Sequence, residues 1–406
     1  MIMGINRRHL KTLLLVLASA FLLIIYYSSY TKSSASAPAN PVSSRFAVMQ
    51  SSQQEKTAEQ VRKNIQVLKG LPDSQLFPVM NFIGDSLGVH CDYCHVIQGT
   101  DPKTGRDIWL YERDDKATKA RAREMMRMVL EINKTTFGGN QAVTCYSCHR
   151  GTTRVERVVP LPPVDFTLPT TERKGPVPLS AEQILSKYIK AVGGQDAGAE
   201  SKTIVYTGIV ERSQGRTNAV WQQILPTAQE VTIKGADKFL VKVTTPQGIV
   251  MQGIDGAVGW VRDNNGSRQL AAAELEQVKQ TAALYHPIKV AEQPAQMTVL
   301  GVEKLGDRDA YVVAVTTGPQ MTRRYFFDAQ TGLLLRRITT TSTMLAPLPE
   351  QVDYEDYRDV GGVKLPFTIR TSGLAAFTTR TRRFADIKLN VVIDDSVFKM
   401  PAGQKQ

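Results

Sequence analysis

The chain has few of the residues that usually carry metal, disulfide or nucleophile chemistry. Its 406 residues include only four cysteines and five histidines. From residue 180 onward cysteine is absent, which excludes a disulfide framework or a thiolate metal site there. No internal repeat is found beyond one short doubled motif. No basic run is interleaved with aromatics either. The formal charge of +12 is diffuse, with +5 in residues 1–56, +3 in 57–157 and +4 in the remainder. A nucleic-acid reader needs a clustered cationic face with stacking aromatics, so that class is excluded. An apolar fraction of 42% and a charged fraction of 22% are ordinary for globular protein, and the length suffices for two or three domains.

Long apolar runs are lacking too, except for Leu13 to Tyr27, preceded by Arg7, Arg8 and Lys11. A basic region followed by a hydrophobic one is the layout of an export signal. Extended through Tyr30, with Tyr26 and Tyr27 at an aromatic belt, the run approaches the ~20 residues that span a bilayer. Residues 1–30 are therefore expected to be an uncleaved signal anchor. A cleaved signal, cut near Ala35-Ser36-Ala37, is the alternative. Either way the bulk of the chain lies on the periplasmic, extracytoplasmic side of the cytoplasmic membrane.

All four cysteines fall in two copies of Cys-x-x-Cys-His: Cys91-Asp92-Tyr93-Cys94-His95 and Cys145-Tyr146-Ser147-Cys148-His149. This is the attachment pattern of c-type haem. Two thiols add across the porphyrin vinyl groups and the adjacent histidine reaches the iron. The motif thus predicts two covalent haems, held by Cys91, Cys94, His95 and by Cys145, Cys148, His149. Covalent haem attachment belongs to the same exterior compartment as the export signal. Two other readings stand beside it: one zinc shared by the two motifs, and redox disulfides. Neither explains a histidine directly after each Cys-x-x-Cys.

The remaining pattern divides the chain. Residues 31–56, rich in Ser, Ala, Pro and Gln, read as a flexible linker. Residues 57–156 form the haem-bearing domain, expected to be small and all-α. Its helices are expected over Thr57–Lys69, Asp73–Leu87 and Ala117–Asn133, with a polar loop over 98–115. The last helix is expected to bury Met125, Met128/Val129 and Ile132, opposite Lys119, Arg123 and Arg127. Residues 157–179 are a Pro-rich linker. Residues 180–406 predict a mainly antiparallel β domain with one or two helices. Ser180 with Gln183 makes a capping box, a second helix lies near 272–284, and strands follow at 203–212, 219–225, 238–244, 248–253, 258–262, 297–304, 309–317, 322–328, 332–341, 364–371 and 378–389.

The sixth iron ligand decides the chemistry. His9 precedes the anchor, and His286 reads as structural. His90 is badly placed for its own ring, though it is within reach of a neighbouring one. Methionines are better placed: Met80, before Gly84 and Gly88, and Met125, Met126 and Met128 before Cys145. Arg150, Arg154 and Lys134 are candidates for pairing with propionates or an acidic partner, against a plain solvated role.

These residues carry a resemblance. Met80-Asn81-Phe82-Ile83-Gly84-Asp85-Ser86-Leu87-Gly88-Val89 running into Cys91, and Ala122-Arg123-Glu124-Met125-Met126-Arg127-Met128 with Ile132-Asn133 before Val143-Thr144-Cys145, resemble the photosynthetic reaction-centre cytochrome c subunit family over about residues 57–155. The resemblance implies Met80 and Met125 as axial ligands, with Met128 a packing residue. Those subunits usually bind four haems from two such repeats, whereas this chain has one. More weakly, residues 180–406 resemble the curved half-barrel of the outer-membrane lipoprotein carrier, on layout and on the hairpin at Tyr325-Phe326-Phe327-Asp328-Ala329-Gln330-Thr331-Gly332. That likeness implies an apolar ligand or a docked protein on the β domain. The resulting expectation is a membrane-anchored dihaem cytochrome that transfers electrons between redox partner proteins, without bond-making at iron. The alternatives are a dihaem peroxidase or small-molecule oxidoreductase, and a lipid- or peptide-binding β domain with an attached redox sensor.

Overall fold

The computed structural model describes residues 55–402, except 103–106, 157–176, 178, 195–202, 213–225, 247, 287–296, 317–320 and 375–377. The expected anchor, nearly all of the 31–56 linker, most of the Pro-rich linker and the strand expected at 219–225 lie outside the described residues. Among the described residues no helix is long and apolar enough to cross a membrane.

Helix α1 (Ala58–Val61) opens at Thr57, whose amide donates to Gln60 Oε1 at 3.0 Å. The expected helix to Lys69 stops after one turn. Asn64 turns left-handed at φ 60°. Its side-chain amide donates to the Glu112 carbonyl at 2.5 Å, and its own carbonyl accepts from Arg123 at 3.2 Å. Tertiary hydrogen bonds here outweigh helix propensity. Helix α2 (Asp73–Leu87) forms as expected, with Pro78 inside it, and ends at left-handed Gly88. The stretch expected to be a polar loop instead pairs as a hairpin, β1 (Val96–Thr100) with β2 (Asp107–Leu110), placing Ile97 opposite Trp109. The all-α expectation for this segment is corrected accordingly.

Helix α3 (Ala117–Thr136) is long, as predicted, but it is rotated from the expected face. It buries Lys119, Arg123, Met126, Val129 and Asn133, and Met128 is 44% exposed. The cause is Asp114. Lys119 Nζ and Arg123 Nη1 each lie 3.0 Å from its Oδ1, and Lys119 also donates to the carbonyls of Tyr111 (2.8 Å) and Arg113 (2.6 Å). Two cations are thereby taken inside with their charge and donors satisfied. Hydrogen bonds from Arg123, then Asn64 and Lys119, hold the Asp114 carboxyl well below the usual range. At the other end of the helix, Asn133 exchanges two hydrogen bonds with Val143, at 2.7 and 2.9 Å, and so fixes the approach to α4 (Cys145–His149).

Helix α5 (Ala181–Val192) starts at the predicted Ser180 box and presents Ile184, Leu185, Tyr188 and Val192 inward. Thirteen antiparallel strands follow: β3 (Thr203–Arg212), β4 (Thr227–Lys234), β5 (Lys238–Thr245), β6 (Gly248–Asp255), β7 (Val258–Asp263), β8 (Gly266–Gln269), β9 (Met297–Leu305), β10 (Arg308–Thr316), β11 (Met321–Asp328), β12 (Leu334–Ser342), β13 (Pro347–Val360), β14 (Val363–Ser372) and β15 (Arg380–Leu389). Their order is 8-7-6-5-4-3-15-14-13-12-11-10-9, so the last strand closes onto the first. One face buries a single apolar cluster against α5, α6 (Ala272–Ala282) and the turn at Ala283–Tyr285. On the other face Trp260 fills the space over Gly253 and donates to the Phe398 carbonyl at 2.6 Å.

Strands β4, β8 and β13 were not legible in the hydrophobic pattern. β13 begins with prolines and runs through acidic residues. Its Asp353 is nevertheless buried, because Arg336 lies 2.6 Å away and Arg370 3.5 Å away on the neighbouring strands. Cross-strand ion pairs hold one face of the strand, while Val352 and Tyr354 are buried in the apolar cluster on the other.

Residues 54–406 form one compact unit. The β12–β13 connection leaves the sheet and enters the core of the small segment. Leu345 and Ala346 are fully buried and Leu348 nearly so, among Leu68, Leu71, Phe82, Ile83, Met126 and Val129. Thr343 Oγ1 accepts from the amides of Leu345 and Ala346 and donates to the Ala346 carbonyl at 2.8 Å, shaping the tip. Gln141 donates to the Thr343 carbonyl.

Leu345→Ala is expected to cost about 2–5 kcal/mol, the range for emptying a buried leucine site, measured by denaturant unfolding. Asp114→Asn is expected to lower the thermal midpoint at neutral pH. The wild-type contribution of Asp114 is fully present above its unfolded pKa of about 3.9 and is lost as pH falls toward the depressed folded value. The two proteins should therefore converge in midpoint as a pH series descends below 4.

Candidate functional site

The two motifs lie on short turns held from outside. Cys91–Tyr93 is one 3-10 turn, and the His95 amide donates to the Cys91 carbonyl at 2.8 Å. The start of α3 grips it, with Lys116 donating to the Asp92 carbonyl and Thr118 to the Tyr93 carbonyl at 2.6 Å. The second motif is α4 itself, begun at Thr144, whose amide donates to Ser147 Oγ at 3.0 Å. It ends in left-handed Arg150 and Gly151. The Gly151 amide donates to the Ser86 carbonyl at 2.9 Å, and a Cβ on Gly88 would sit 2.1 Å from the Gly151 carbonyl oxygen. The exit of the second motif is thus bonded to the helix that leads into the first, and only glycine fits at 88.

Both motif histidines have the same hydrogen bond. His95 Nδ1 lies 3.1 Å from the Tyr111 carbonyl, and His149 Nδ1 lies 3.0 Å from the Thr152 carbonyl. A carbonyl only accepts, so Nδ1 carries the proton and Nε2 keeps its lone pair. That is the arrangement in which a histidine serves as a metal ligand. Burial first, and then the Lys119 charge, holds His95 below its usual pKa, which keeps the ring neutral. The Tyr111 ring meets His95 edge-on at 5.1 Å, stacks on Trp109 at 5.5 Å and meets Phe77 at 6.0 Å.

The four thiols are free. Burial pushes the Cys94 and Cys145 thiols up. Among the described residues no three His, Cys, Asp or Glu side chains gather to hold one metal ion, and the shared-zinc reading falls with that. Most exposed large apolar side chains among the described residues lie between Val61 and Val155, including Phe77, Ile97, Tyr111, Met128 and Tyr146. Two thiols, a histidine with a free Nε2 and uncovered apolar surface, present twice, form a donor set that fits covalent haem.

Met80 is half-buried on α2 against the shared core, and Met125 is half-buried on α3. Met126 fills the core, whereas Met128 faces solvent. His90 is half-buried and begins the turn at Cys91. Arg150, Arg154 and Lys134 are exposed, and none enters an ion pair among the described residues. The sequence reading missed Asp114, Lys119, Arg123 and Asn64 as supports of the first site. The available signal was Lys119 and Arg123 four residues apart just after an acidic residue, which marks a paired helix face.

Residues 28–161 match the family described as photosynthetic reaction centre cytochrome C subunit. A photosynthetic reaction center cytochrome c subunit of Roseobacter denitrificans is 34% identical over 104 residues, 24% of this chain and 26% of that protein. Cytochrome c-554 of Chloroflexus aurantiacus is 26% identical over 125 residues, 28% of this chain and 27% of that protein. The chain therefore spans about a quarter of the length of these curated relatives. Among solved structures, a LolA superfamily protein from Nitrosomonas europaea has a TM-score of 0.37 at 16% identity, covering 54% of this chain and 98% of that one. A putative outer membrane lipoprotein-sorting protein domain from Vibrio parahaemolyticus has a TM-score of 0.37 at 10% identity, covering 53% and 97%. The stretch that carries both Cys-x-x-Cys-His motifs is similar to the photosynthetic reaction centre cytochrome C subunit family, and the match leaves the large sheet outside it.

Proposed function

We propose that residues 57–156 hold two covalent haems and pass electrons between redox partner proteins on the extracytoplasmic face of a membrane, anchored through residues 1–30. The observation that carries this reading is the matched pair of histidines, each with Nδ1 tied to a backbone carbonyl and Nε2 free. Cys91 and Cys94 would form thioethers at the first site, with His95 as proximal ligand. Cys145, Cys148 and His149 would do so at the second. Bound haem supplies a one-electron iron couple. The chain supplies the rest. The carbonyls of Tyr111 and Thr152 orient the imidazoles. Met80 and Met125 would supply thioether sulfur to the iron of the first and second haem, which would close both sites to exogenous molecules and raise the potentials. The aromatic group of Phe77, Trp109 and Tyr111 shields the His95 side from water. Residues 180–406 serve as the partner- or ligand-docking part.

The test is expression in a host competent for c-type haem maturation. The mature chain should carry the mass of two added tetrapyrroles and should not bind carbon monoxide rapidly when reduced. Met80→Ala and Met125→Ala should each lower the potential of one haem and open it to carbon monoxide. A colourless protein, or two methionine variants indistinguishable from wild type in redox titration, would sink the assignment.

A further inference from the structure

The helix-covered face of the sheet turns from apolar to arginine-rich at one end. Strand register places the residues. Val313, Tyr325, Arg337 and Val352 are successive partners across β10 to β13, and Val352 continues to Thr371, Arg380 and Arg212 on β14, β15 and β3. Val313, Tyr325 and Val352 belong to the buried cluster, so Arg337, Arg380 and Arg212 share its face. By the same register Arg323 pairs with Val315, and Arg382 with Ile369. Arg382 lies beside Tyr285, under the face, where burial raises the Tyr285 phenol and the Arg382 charge and a side-chain hydrogen bond from it oppose that rise.

Among the described residues these five arginines have one carboxylate within ion-pair distance. Glu350 lies 3.7 Å from Arg337. Arg337 and Arg382 are only 8% and 7% exposed. Arg382 Nη1 donates to Thr371 at 3.2 Å, but the Nε atoms of Arg323, Arg337 and Arg382 are buried without a partner. A buried guanidinium with unused donors and excess like charge around it is costly unless an anion completes it. Desolvation and the neighbouring Arg212 and Arg382 charges also hold Arg380 below its usual pKa. On the opposite face the arginines are matched: Arg336 and Arg370 share Asp353, and Arg383 lies 3.3 Å from Glu211.

We propose that this end of the sheet face is an oxyanion site for a phosphate or carboxylate group. Arg337 and Arg382 form its floor, Arg323 adds a half-buried donor, and Arg380 and Arg212 form its exposed rim. The planar fork of each guanidinium suits two-point contact with such groups. The apolar face beneath is filled by α5, α6 and Tyr285, so the site takes the charged group and not a long apolar tail. It requires no haem and stands apart from the electron-transfer reading.

The experiment uses the full chain with sodium phosphate and sodium succinate as probes, each compared with sodium chloride at equal ionic strength. At least one of the two probes should raise the thermal midpoint. Arg382→Gln and Arg337→Gln should each weaken the apparent affinity for that probe about tenfold or more, as loss of a charge-assisted pair does. Arg383→Gln, on the opposite face, should leave it unchanged. Sedimentation with phosphatidylglycerol against phosphatidylcholine vesicles separates the sources. Capture by phosphatidylglycerol alone, lost in Arg382→Gln, identifies a lipid headgroup, and a free-anion effect without capture identifies a soluble ligand. Should Arg382→Gln fail to fold, Arg337→Gln decides. Neither probe exceeding chloride, with no vesicle capture, or an equal loss in Arg383→Gln, overturns the proposal.

Discussion

The core of residues 57–156, built from four helices, a 3-10 turn and a hairpin, depends on packing that the segment does not supply alone. The tip of the β12–β13 connection answers that constraint, with Leu345 and Ala346 fully buried among residues of α2 and α3. The rest of the small segment follows from this arrangement. With its inner face sealed by the sheet's own chain, its outer face leaves apolar side chains and both motifs uncovered. That uncovered surface is where the proposed haems would lie.

Charge placement obeys the same logic at two scales. Around Asp114 every cation taken inside finds a carboxylate or a carbonyl, and the group locks α3 in its rotation. At the arginine-rich end of the sheet face the described residues supply one carboxylate, Glu350, whereas across the sheet Asp353 is shared by two arginines. Because burying an unmatched guanidinium costs free energy, the contrast between these places is itself informative.

Legibility followed the range of the forces involved. Helix α2, helix α5 with its Ser180 box, and strands such as β10 and β11 were readable because side-chain periodicity and capping act within a few residues. The truncated α1 was not, since Asn64 turns left-handed to meet Glu112 and Arg123 far along the chain. The hairpin of β1 and β2 was hidden because its strands are short and flank the polar stretch at residues 101–106. Strand β13 was hidden because prolines open it and acidic residues interrupt its apolar positions, and Asp353 is matched only by arginines on neighbouring strands. At the candidate site, the cysteines and histidines were plain from spacing. Their supports, Tyr111, Asp114, Lys119 and Thr152, were not, since three of the four act through backbone atoms or through a helix face that pattern alone assigned to solvent.

The sequence by itself determined the chemistry of the small segment: four thiols and two histidines in a spacing that only local chain geometry has to satisfy. It also determined that an antiparallel β region follows. The tertiary structure alone decided which nitrogen of His95 is free, which face of α3 is buried, that the sheet contributes to the core of the small segment, and that five arginines share one end of one face. The physical reason is that these outcomes depend on hydrogen bonds, charge pairing and strand register between residues distant in sequence, and those energies exist only once the chain has folded.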